Sequence, residues 1–566
     1  MSFTNFVMGV VTSRSASRFE AATRDPDGAQ LAKLLELTSR NAGTEYGKRH
    51  GFGSVRSFAD YAQAVPVVGY EDIKADMRRV TEGEKNIFTA EDPILFAQTS
   101  GTTGEPKFIP ITPTCKGRDH SDVLRTWFSH ARRAHPGIFK GKTISMVSPA
   151  VEGHAPSGIP FGSTSGQMYK TAPGILRRMY SIPYDVFEIA DYAAKYYAIM
   201  RMGLGDDVRF LATANPSSVL KMCEKGDQHA EEIIKDIRDG TLSAAYDIAP
   251  EIHHAISQVL KADPARAKQL EAWRAARDGS LRPGDYWPRL DLIGCWKGGT
   301  VGHYLEKYPY WFDPDGRKPI PTRDMGYLSS EFRGSVPLSD EGSQGVLTVG
   351  SNVLEFVAAD ELESNPGNTS AWSFKTVGQL EKGGDYYIFV STTGGLYRYD
   401  INDVIRVTGH YNKTPQIVFL RKGRGMTNIT GEKLSVNQVI DAVQAASRVA
   451  HATADHFKAE ADAENSRYIL RVEFASQTAP DAQRSFLQAV DGALKDINIE
   501  YKAKRDSMRL GAPVLHVMRE GWYERGRLAA VGGGGRQFQA KTEKLSANVA
   551  AMEDIRPELD AVVELN

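Results

Sequence analysis

The pattern of apolar and polar positions first predicts helices and then short strands. Residues 29–65 place apolar side chains at helical spacing, as in "AQLAKLLELTSR", and Ser57 is suited to cap the helix that "FADYAQAV" begins. The apolar runs "DPILFAQ", "KTISMVSPA" and "VRFLATANPSSV" are typical of strands, and the last continues into a turn and a helix start. This alternation predicts an α/β core.

The middle of the chain combines surface helices with a region rich in strands. Residues 228–277 are charged, rich in alanine and amphipathic, which indicates surface helices without chemistry of their own. "PRLDLIGCWKGGT", residues 288–300, is typical of a strand that ends in a Gly-Gly turn, where ligands of α/β sheets commonly bind. The strand candidates "GVLTVGSNVLEFVA", "DYYIFVST", "LYRYDINDVIRVTG" and "PQIVFLRKG" then predict a β-rich subdomain.

The pattern changes again after Lys422. "SVNQVIDAVQAASRV", "SRYILRVEFAS" and "DAQRSFLQAVDGALKDI" indicate helix, strand and helix, which suits a small α+β domain. We therefore predict an N-terminal domain of residues 1–420 and a C-terminal domain of residues 421–566.

Composition narrows the classes of protein that are compatible with this pattern. The chain has 566 residues, 41% hydrophobic, and its 69 basic and 70 acidic residues nearly cancel, so neither nucleic acid nor an anionic membrane is an expected partner. Its three cysteines are far apart and form no CxxC pair, which argues against a disulfide framework or a structural zinc site. No apolar run is long enough to span a membrane, and we expect a cytoplasmic monomer.

The stretch "AQTSGTTGEPKFIP", residues 97–110, carries the first chemical signal. Glycines allow backbone N–H groups to approach a ligand, while hydroxyls and a lysine add donors and positive charge, as in a phosphate-binding loop. Its spacing excludes the Walker A motif, and no kinase glycine-rich loop or Gly-x-Ser-x-Gly elbow occurs in the chain.

The nine residues Thr99–Lys107 resemble the phosphate loop of the acyl-adenylate-forming superfamily, to which firefly luciferase belongs. The blocks "GTEYGKRHGF", "VPVVGYEDIK", "KFIPIT", "YLSSE" and "GLYRYDINDVIRVTG" are similar to the acyl acid amido synthetases, the family of auxin-conjugating enzymes. This resemblance runs from about residue 30 to the C-terminus. It implies a large adenylate-forming domain with helix-flanked sheets and a β-barrel-like subdomain, joined near Arg421 and Lys422 to a mobile C-terminal domain.

The resemblance also implies an activity. A carboxylic acid and ATP, with Mg²⁺, would give an acyl-adenylate and pyrophosphate, and an amino acid amine would then take the acyl group and release AMP. Two alternatives stay open. The same adenylate could pass its acyl group to coenzyme A or a carrier thiol, or the chain could bind nucleotide without catalysis. The residues do not identify the acid or the amino acid.

The family pattern assigns ATP binding to several positions of this chain. Asp403 would accept hydrogen bonds from the ribose hydroxyls, and we prefer it to Asp400 although Asn402 replaces the usual glycine. The other implied ATP-binding residues are Thr99, Ser100, Gly101, Thr102, Thr103, Lys107, Gly298, Gly299, Thr300, Tyr327, Ser329, Ser330, Arg421 and Lys422.

Catalysis and acid binding are implied at a smaller set. Glu331 would hold the magnesium ion, and Lys433 and Lys541 would bring positive charge to the reacting groups, although Gln539 could instead align with the family's C-terminal lysine. By analogy with the family's acyl pocket, the acid would lie near aromatic side chains, each of which could equally be core packing. These aromatics are Trp127, Phe128, Phe161, Tyr169 and Trp296.

Overall fold

A computed structural model describes residues 3–99, 107–523, 525 and 544–565. The chain divides into two compact units; one boundary falls between Leu420 and Arg421, and the second unit also includes Thr99 and Lys107. Each unit has hydrophobic clusters of its own. The units are therefore described separately.

The first unit begins with helices that local caps define. The Ser57 side chain accepts a hydrogen bond from Asp60 N at 3.1 Å, and Thr44 accepts one from Gly47 N at 3.0 Å, so each satisfies a donor that a helix start leaves open. The helical prediction for residues 29–65 is confirmed. The helices are Phe3–Arg24, Pro26–Asn41, Glu45–Arg49, Phe58–Ala64 and Tyr70–Thr81, with a 3₁₀ turn at Phe52–Ser54.

Two four-stranded sheets follow, and together they confirm the α/β prediction. The first has the spatial order Lys107–Ile111, Leu95–Thr99, Pro160–Gly162 and Gly153–His154. The second is parallel throughout, in the order Lys142–Ser145, Val208–Ala212, Leu292–Gly294 and Thr322–Arg323.

The helices of the 228–277 stretch bury one apolar face. Ile233, Ile237 and Leu270 are fully buried on helices of the 228–277 stretch, which confirms its amphipathic reading. The α-helices are Asp122–Ala134, Thr164–Lys170, Gly174–Arg177, Tyr192–Gly203, Pro216–Gln228, Ala230–Asp239, Pro250–Ser257, Pro264–Ala276, Pro283–Tyr286 and Tyr308–Phe312. Cys115–Ser121 is a π-helix, and Tyr184–Glu188 and Gly299–Lys307 are 3₁₀ helices.

A six-stranded sheet completes the first unit, as the β-rich prediction requires. Its strands lie in the order Val353–Ala358, Asp385–Ser391, Tyr399–Tyr411, Thr414–Lys422, Gly345–Leu347 and Ser335–Val336. The barrel-like closure expected for this subdomain is not confirmed. The short helix Ala359–Ser364 and the 3₁₀ turns Thr369–Ala371 and Val377–Gln379 connect its strands.

The second unit is a five-stranded sheet with helices. The predicted helix, strand and helix are present, but the strand Ala454–Asp462, which pairs with Arg467–Phe474, was missed. The sheet order is Leu545–Ser546, Ala454–Asp462, Arg467–Phe474, Val514–Met518 and Leu559–Glu564. The helices are Val436–Val449, Pro480–Ile497, Ile499–Asp506 and Met552–Ile555, with a 3₁₀ turn at Arg556–Glu558 and a small hairpin of Met426–Thr427 and Leu434–Ser435.

All three cysteines lie in the first unit. Cys115, Cys223 and Cys295 are free and buried, and burial raises the pKa of each thiol. Within the described ranges, no helix has the length and apolar character needed to cross a membrane.

Candidate active site

A tight turn presents the "YLSSE" residues. Leu328 and Arg333 form an antiparallel bridge, and Ser329 N donates to Phe332 O at 3.0 Å across the turn. This places Ser330 and Glu331 between the two limbs. Glu331 is only 7% exposed, so its carboxyl group lies in a largely water-excluded position.

Tyr327 joins this turn to the segment that contains Asp403. The Tyr327 hydroxyl donates to Asp403 Oδ2 at 2.5 Å, and both residues are buried. The Tyr327 ring packs edge-on against Phe332 and parallel to Phe419, with centroid distances of 5.3 and 6.0 Å. Burial and the Asp403 charge raise the pKa of Tyr327 well above its ordinary value, so the phenol keeps the proton that it donates.

The backbone near Asp403 separates the two candidate aspartates. Asn402 has a φ of +55°, a conformation that asparagine tolerates better than most residues, and it stands where the family pattern has glycine. Its N–H donates to Asp400 Oδ1 at 2.8 Å. Asp400 therefore closes a local turn while Asp403 accepts from Tyr327, which supports the choice of Asp403.

Asp324 connects two loops of the candidate site, and the sequence did not predict this role. Its two carboxylate oxygens accept from Lys297 N and Gly326 N, both at 2.6 Å. Burial raises the pKa of Asp324 to about 6, against the lowering effect of these N–H groups. The acid followed two residues later by a glycine with a φ of +85° was the available signal, since Asx turns have this form.

The predicted adenine turn lies beside this carboxylate. Gly298 follows Lys297, and a Cβ at position 298 would lie 2.6 Å from Ser343 Oγ, so the close approach favours glycine. Gly299 and Thr300 begin the 3₁₀ helix Gly299–Lys307. Asp324 thus brings the turn at Gly298 next to the segment that leads into Tyr327.

Two of the predicted acid-binding aromatics support the same segment. Trp127 Nε1 donates to Asp324 O at 2.7 Å, and Trp296 Nε1 donates to Gly326 O at 3.1 Å. Trp127 is 2% exposed and packs in a core cluster that includes Phe128. These indole contacts fit a supporting role.

Two further predicted aromatics, Phe161 and Tyr169, lie elsewhere in the core. Phe161 packs edge-on against Phe108 at a centroid distance of 5.4 Å, and Tyr169 stacks on Tyr180 at 3.9 Å. They belong to separate hydrophobic clusters. The structure therefore does not gather the predicted aromatics into one cluster, and ordinary core packing accounts for these two.

The predicted phosphate loop is only partly described. Thr99 ends one strand and Lys107 begins its neighbour in the same sheet, so the loop connects adjacent strands. The remaining predicted positions of the loop, Ser100, Gly101, Thr102 and Thr103, lie outside the described residues, as do Lys541 and Gln539. Arg421 and Lys422 end the strand Thr414–Lys422.

In the second unit, a buried carboxylate anchors the turn that carries Lys433. Glu432 is fully buried and accepts from Ile429 N at 2.6 Å, Thr430 N at 2.8 Å and the Tyr468 hydroxyl at 2.5 Å. Lys433 has a φ of +50°, which is costly for a residue with a Cβ. The anchored turn therefore holds this lysine in a conformation that it would not adopt freely.

No group of three or more His, Cys, Asp or Glu side chains that could hold a metal ion occurs in the described part of the chain. Glu331 is the one acidic residue of the turn, residues 328–333. A magnesium ion at this position would need further oxygen ligands, and phosphate groups supply such ligands.

Three domain models of one protein family match successive parts of the chain. Residues 15–316 match the model of the GH3 family N-terminal domain, residues 345–422 that of its central domain, and residues 437–550 that of its C-terminal domain.

Two curated relatives illustrate the similarity. The Arabidopsis thaliana indole-3-acetic acid-amido synthetase GH3.4 is 28% identical, over 76% of this chain and 72% of its own. The Nicotiana attenuata jasmonoyl-L-amino acid synthetase JAR4 is 24% identical, over 93% and 92%. In fold, the chain is similar to the AtGH3.15 acyl acid amido synthetase in complex with 2,4-DB, with a TM-score of 0.64, 21% identity and coverage of 97% of both chains.

Proposed function

Because the chain belongs to the GH3 family, we propose that it is an ATP-dependent acyl acid amido synthetase. It activates a carboxylic acid as an acyl-adenylate and then joins the acyl group to an amino acid amine. The observation that carries this proposal is the hydrogen bond from Tyr327 to Asp403, which unites the "YLSSE" turn and the "YRYDINDV" strand in one buried site. The family and fold expected from the sequence are confirmed.

The first step makes a poor acyl donor reactive. A carboxylate oxygen of the acid attacks the α-phosphorus of ATP, the bond to the β-phosphate oxygen breaks, and pyrophosphate leaves. Asp403 can accept from vicinal ribose hydroxyls because an ionised carboxylate has only acceptors. Tyr327 holds that carboxylate in place, the loop Thr99–Lys107 would bind phosphate, and the close backbone at Gly298 would pack against the adenine.

The donor set fits a magnesium ion bound together with phosphates. Glu331 would hold it, since a carboxylate at a tight turn is a suitable hard ligand. A bound magnesium ion would offset negative charge that develops on the phosphates.

The second step forms the amide. The neutral amine of the amino acid attacks the acyl carbon, the acyl–oxygen bond breaks, AMP leaves with the electron pair, and the amine nitrogen releases a proton to solvent. We assign Lys433 and Lys541 as cations that act on the phosphate and carboxylate groups. The hinge near Arg421 and Lys422, the choice between Lys541 and Gln539, and the monomeric state stay predictions.

Two assays on one panel test the proposed activity. Exchange of labelled pyrophosphate into ATP is measured for each carboxylic acid, and mass spectrometry then detects products with each of the twenty amino acids or with coenzyme A. Acid-dependent exchange with stoichiometric amide and AMP is the expected result. An acyl thioester without amide would identify the acid–thiol ligase instead, and no exchange with any acid would leave only nucleotide binding.

The Glu331→Gln variant tests the metal assignment. The amide keeps the size of the side chain but removes the charge, so we expect pyrophosphate exchange to fall by about 100-fold or more at saturating Mg²⁺, with the fold intact. Glu341→Gln, at an exposed position, serves as the control. Exchange at the normal rate in Glu331→Gln would contradict the assigned role.

A further inference from the structure

The block "VPVVGYEDIK" contacts both strands that carry predicted ATP-binding residues. Val68 N donates to Arg398 O at 3.3 Å, and Asp400 N donates to Val68 O at 2.9 Å. Val68 is thereby paired in parallel with Tyr399, the first residue of the strand that contains Asp403. The block is therefore attached through its backbone to the predicted ribose-binding strand.

Tyr70 makes the contact to the other strand. Its hydroxyl accepts a hydrogen bond from Phe108 N at 2.9 Å, and Phe108 directly follows Lys107, the last residue of the predicted phosphate loop. The strand Lys107–Ile111 is at the edge of its four-stranded sheet, so its outward N–H groups face away from the neighbouring strand. The Tyr70 hydroxyl supplies an acceptor to one of them.

A helix start and core packing hold Tyr70 in place. Asp72 Oδ2 accepts from Gly69 N at 2.7 Å and thereby closes the first turn of the helix Tyr70–Thr81. Tyr70 is 7% exposed and belongs to a hydrophobic cluster of the first unit. A side chain that is held by packing and by its own backbone can fix the position of the group that it binds.

The Phe108 ring provides a second attachment of the same strand. It packs edge-on against Phe96 and Phe161, at centroid distances of 6.0 and 5.4 Å. Phe96 lies on Leu95–Thr99, the strand that leads into the predicted loop. A shift of the edge strand by one residue would break both attachments, because it would turn the Phe108 ring to the opposite face of the sheet. The contacts of Phe108 therefore select one register.

We propose that Tyr70 is a positioning residue for ATP. Its hydroxyl holds the residue that follows the predicted phosphate loop, while the adjacent backbone at Val68 holds the strand of Asp403, so the phosphate and ribose contacts keep one spacing. This inference rests on the proposed function, because it takes the loop and Asp403 as the two ends of the nucleotide site. Tyr70 acts through Phe108 and is not assigned a role in the chemical steps.

Tyr70→Phe tests the inference through the difference between ATP and adenosine. Phenylalanine keeps the ring in the core but removes the acceptor for Phe108 N. Calorimetry without acid or amino acid measures the Kd of ATP with Mg²⁺ and the Kd of adenosine. We expect the Kd of ATP to rise by about 3- to 10-fold and that of adenosine by less than about twofold, because adenosine has no phosphate for the loop to bind.

Tyr386→Phe is the matched control. Tyr386 is 5% exposed in the same hydrophobic cluster, and its hydroxyl also accepts from a backbone N–H, that of Glu381, at 3.2 Å. This contact does not involve the strand after the loop, so both Kd values should stay within about twofold of the wild type. An equal rise of both Kd values in Tyr70→Phe, or no rise in either, would overturn the inference.

Hydrogen exchange at the Phe108 amide gives a measurement that needs no variant. Because the loop and this N–H are coupled through one strand, bound ATP should stabilise the hydrogen bond to Tyr70 and slow exchange by about threefold or more. Adenosine should leave the rate unchanged. Equal slowing by adenosine, or no slowing by ATP, would overturn the inference even where Tyr70→Phe does not fold.

The two proposals fail differently. ATP binding that depends on Tyr70, without acid-dependent pyrophosphate exchange, would contradict the proposed function and support the role of Tyr70. Exchange and amide formation by a Tyr70→Phe variant with an unchanged Kd for ATP would contradict that role and leave the proposed function standing.

Discussion

At the scale of single residues, Tyr327→Phe isolates the contact between the two motifs. Phenylalanine preserves the packing against Phe332 and Phe419 but removes the donor to Asp403. A hydrogen bond to a charged group contributes about 1.5–3 kcal/mol, so kcat/KM for ATP should fall by about 10- to 100-fold. Steady-state kinetics measure this, with exposed Tyr310→Phe as the control; an unchanged value would show that the hydroxyl does not position Asp403.

His120 predicts a pH dependence of stability. The pKa of His120 is about 3 in the folded state, lowered chiefly by burial, whereas that of an unfolded histidine is about 6.5. As the pH falls below that value, only the unfolded chain gains the proton, so the free energy of unfolding decreases, by about 1.5 kcal/mol between pH 6.5 and 5. The stability contribution is therefore fully present above the unfolded pKa and is lost toward pH 3.

Urea unfolding at pH 7, 6 and 5 measures this slope. In His120→Gln the decrease between pH 7 and 5 should be smaller by about 2 kcal/mol, because the titrating ring is absent. The exposed His254→Gln is the control and should keep the wild-type slope. A slope in His120→Gln equal to that of the wild type would rule out His120 as its source.

Site residues that belong to a sequence motif could be predicted. Residues whose role depends on contacts with distant segments could not. Tyr327, Glu331 and Asp403 stood in recognisable strings, and the structure brings Tyr327 to Asp403 across 76 positions of sequence. Asp324 escaped notice because its role depends on two backbone N–H groups from separate loops. The burial of His120, whose ring nitrogens have no hydrogen-bond partner among the described residues, is likewise visible only in three dimensions.

At the scale of elements, Glu432 predicts the stability of the turn that carries Lys433. Glu432→Ala leaves the buried donors Ile429 N, Thr430 N and the Tyr468 hydroxyl without their acceptor. We expect a loss of about 3 kcal/mol in the free energy of unfolding of the second unit. Urea unfolding tests this, and the exposed Glu464→Ala should change it little. A loss below about 0.5 kcal/mol would mean that the anchor is dispensable.

Elements with a strong apolar period were predicted well. Helices in residues 29–65 and the strand Val208–Ala212 follow directly from spacing and caps. The strand Ala454–Asp462 was missed because its sequence, "ADHFKAEAD", is rich in alanine and charge; pairing with Arg467–Phe474 overrides its weak β-propensity. Pairing also decides whether strands close into a barrel, which the local pattern cannot specify.

At the scale of the whole molecule, the separate cores predict separable unfolding. Leu487 is fully buried in the hydrophobic cluster of the second unit, and Leu487→Ala should cost about 3 kcal/mol there. Hydrogen exchange should then lose protection in Arg467–Phe474 and keep it in Val208–Ala212. Ile293 is fully buried in the first unit, and Ile293→Ala is the matched variant. It should lose protection in Val208–Ala212 and keep it in Arg467–Phe474. Simultaneous loss in both units would show that they unfold as one.

The distribution of the three thiols gives the chain an internal reporter. Cys115, Cys223 and Cys295 are all buried in the first unit, and residues 421–566 contain no cysteine. A thiol-reactive dye can therefore label the native protein only when the first unit opens. The rate of labelling would therefore report transient opening of the first unit alone. No engineered probe is needed, and the second unit contributes no signal.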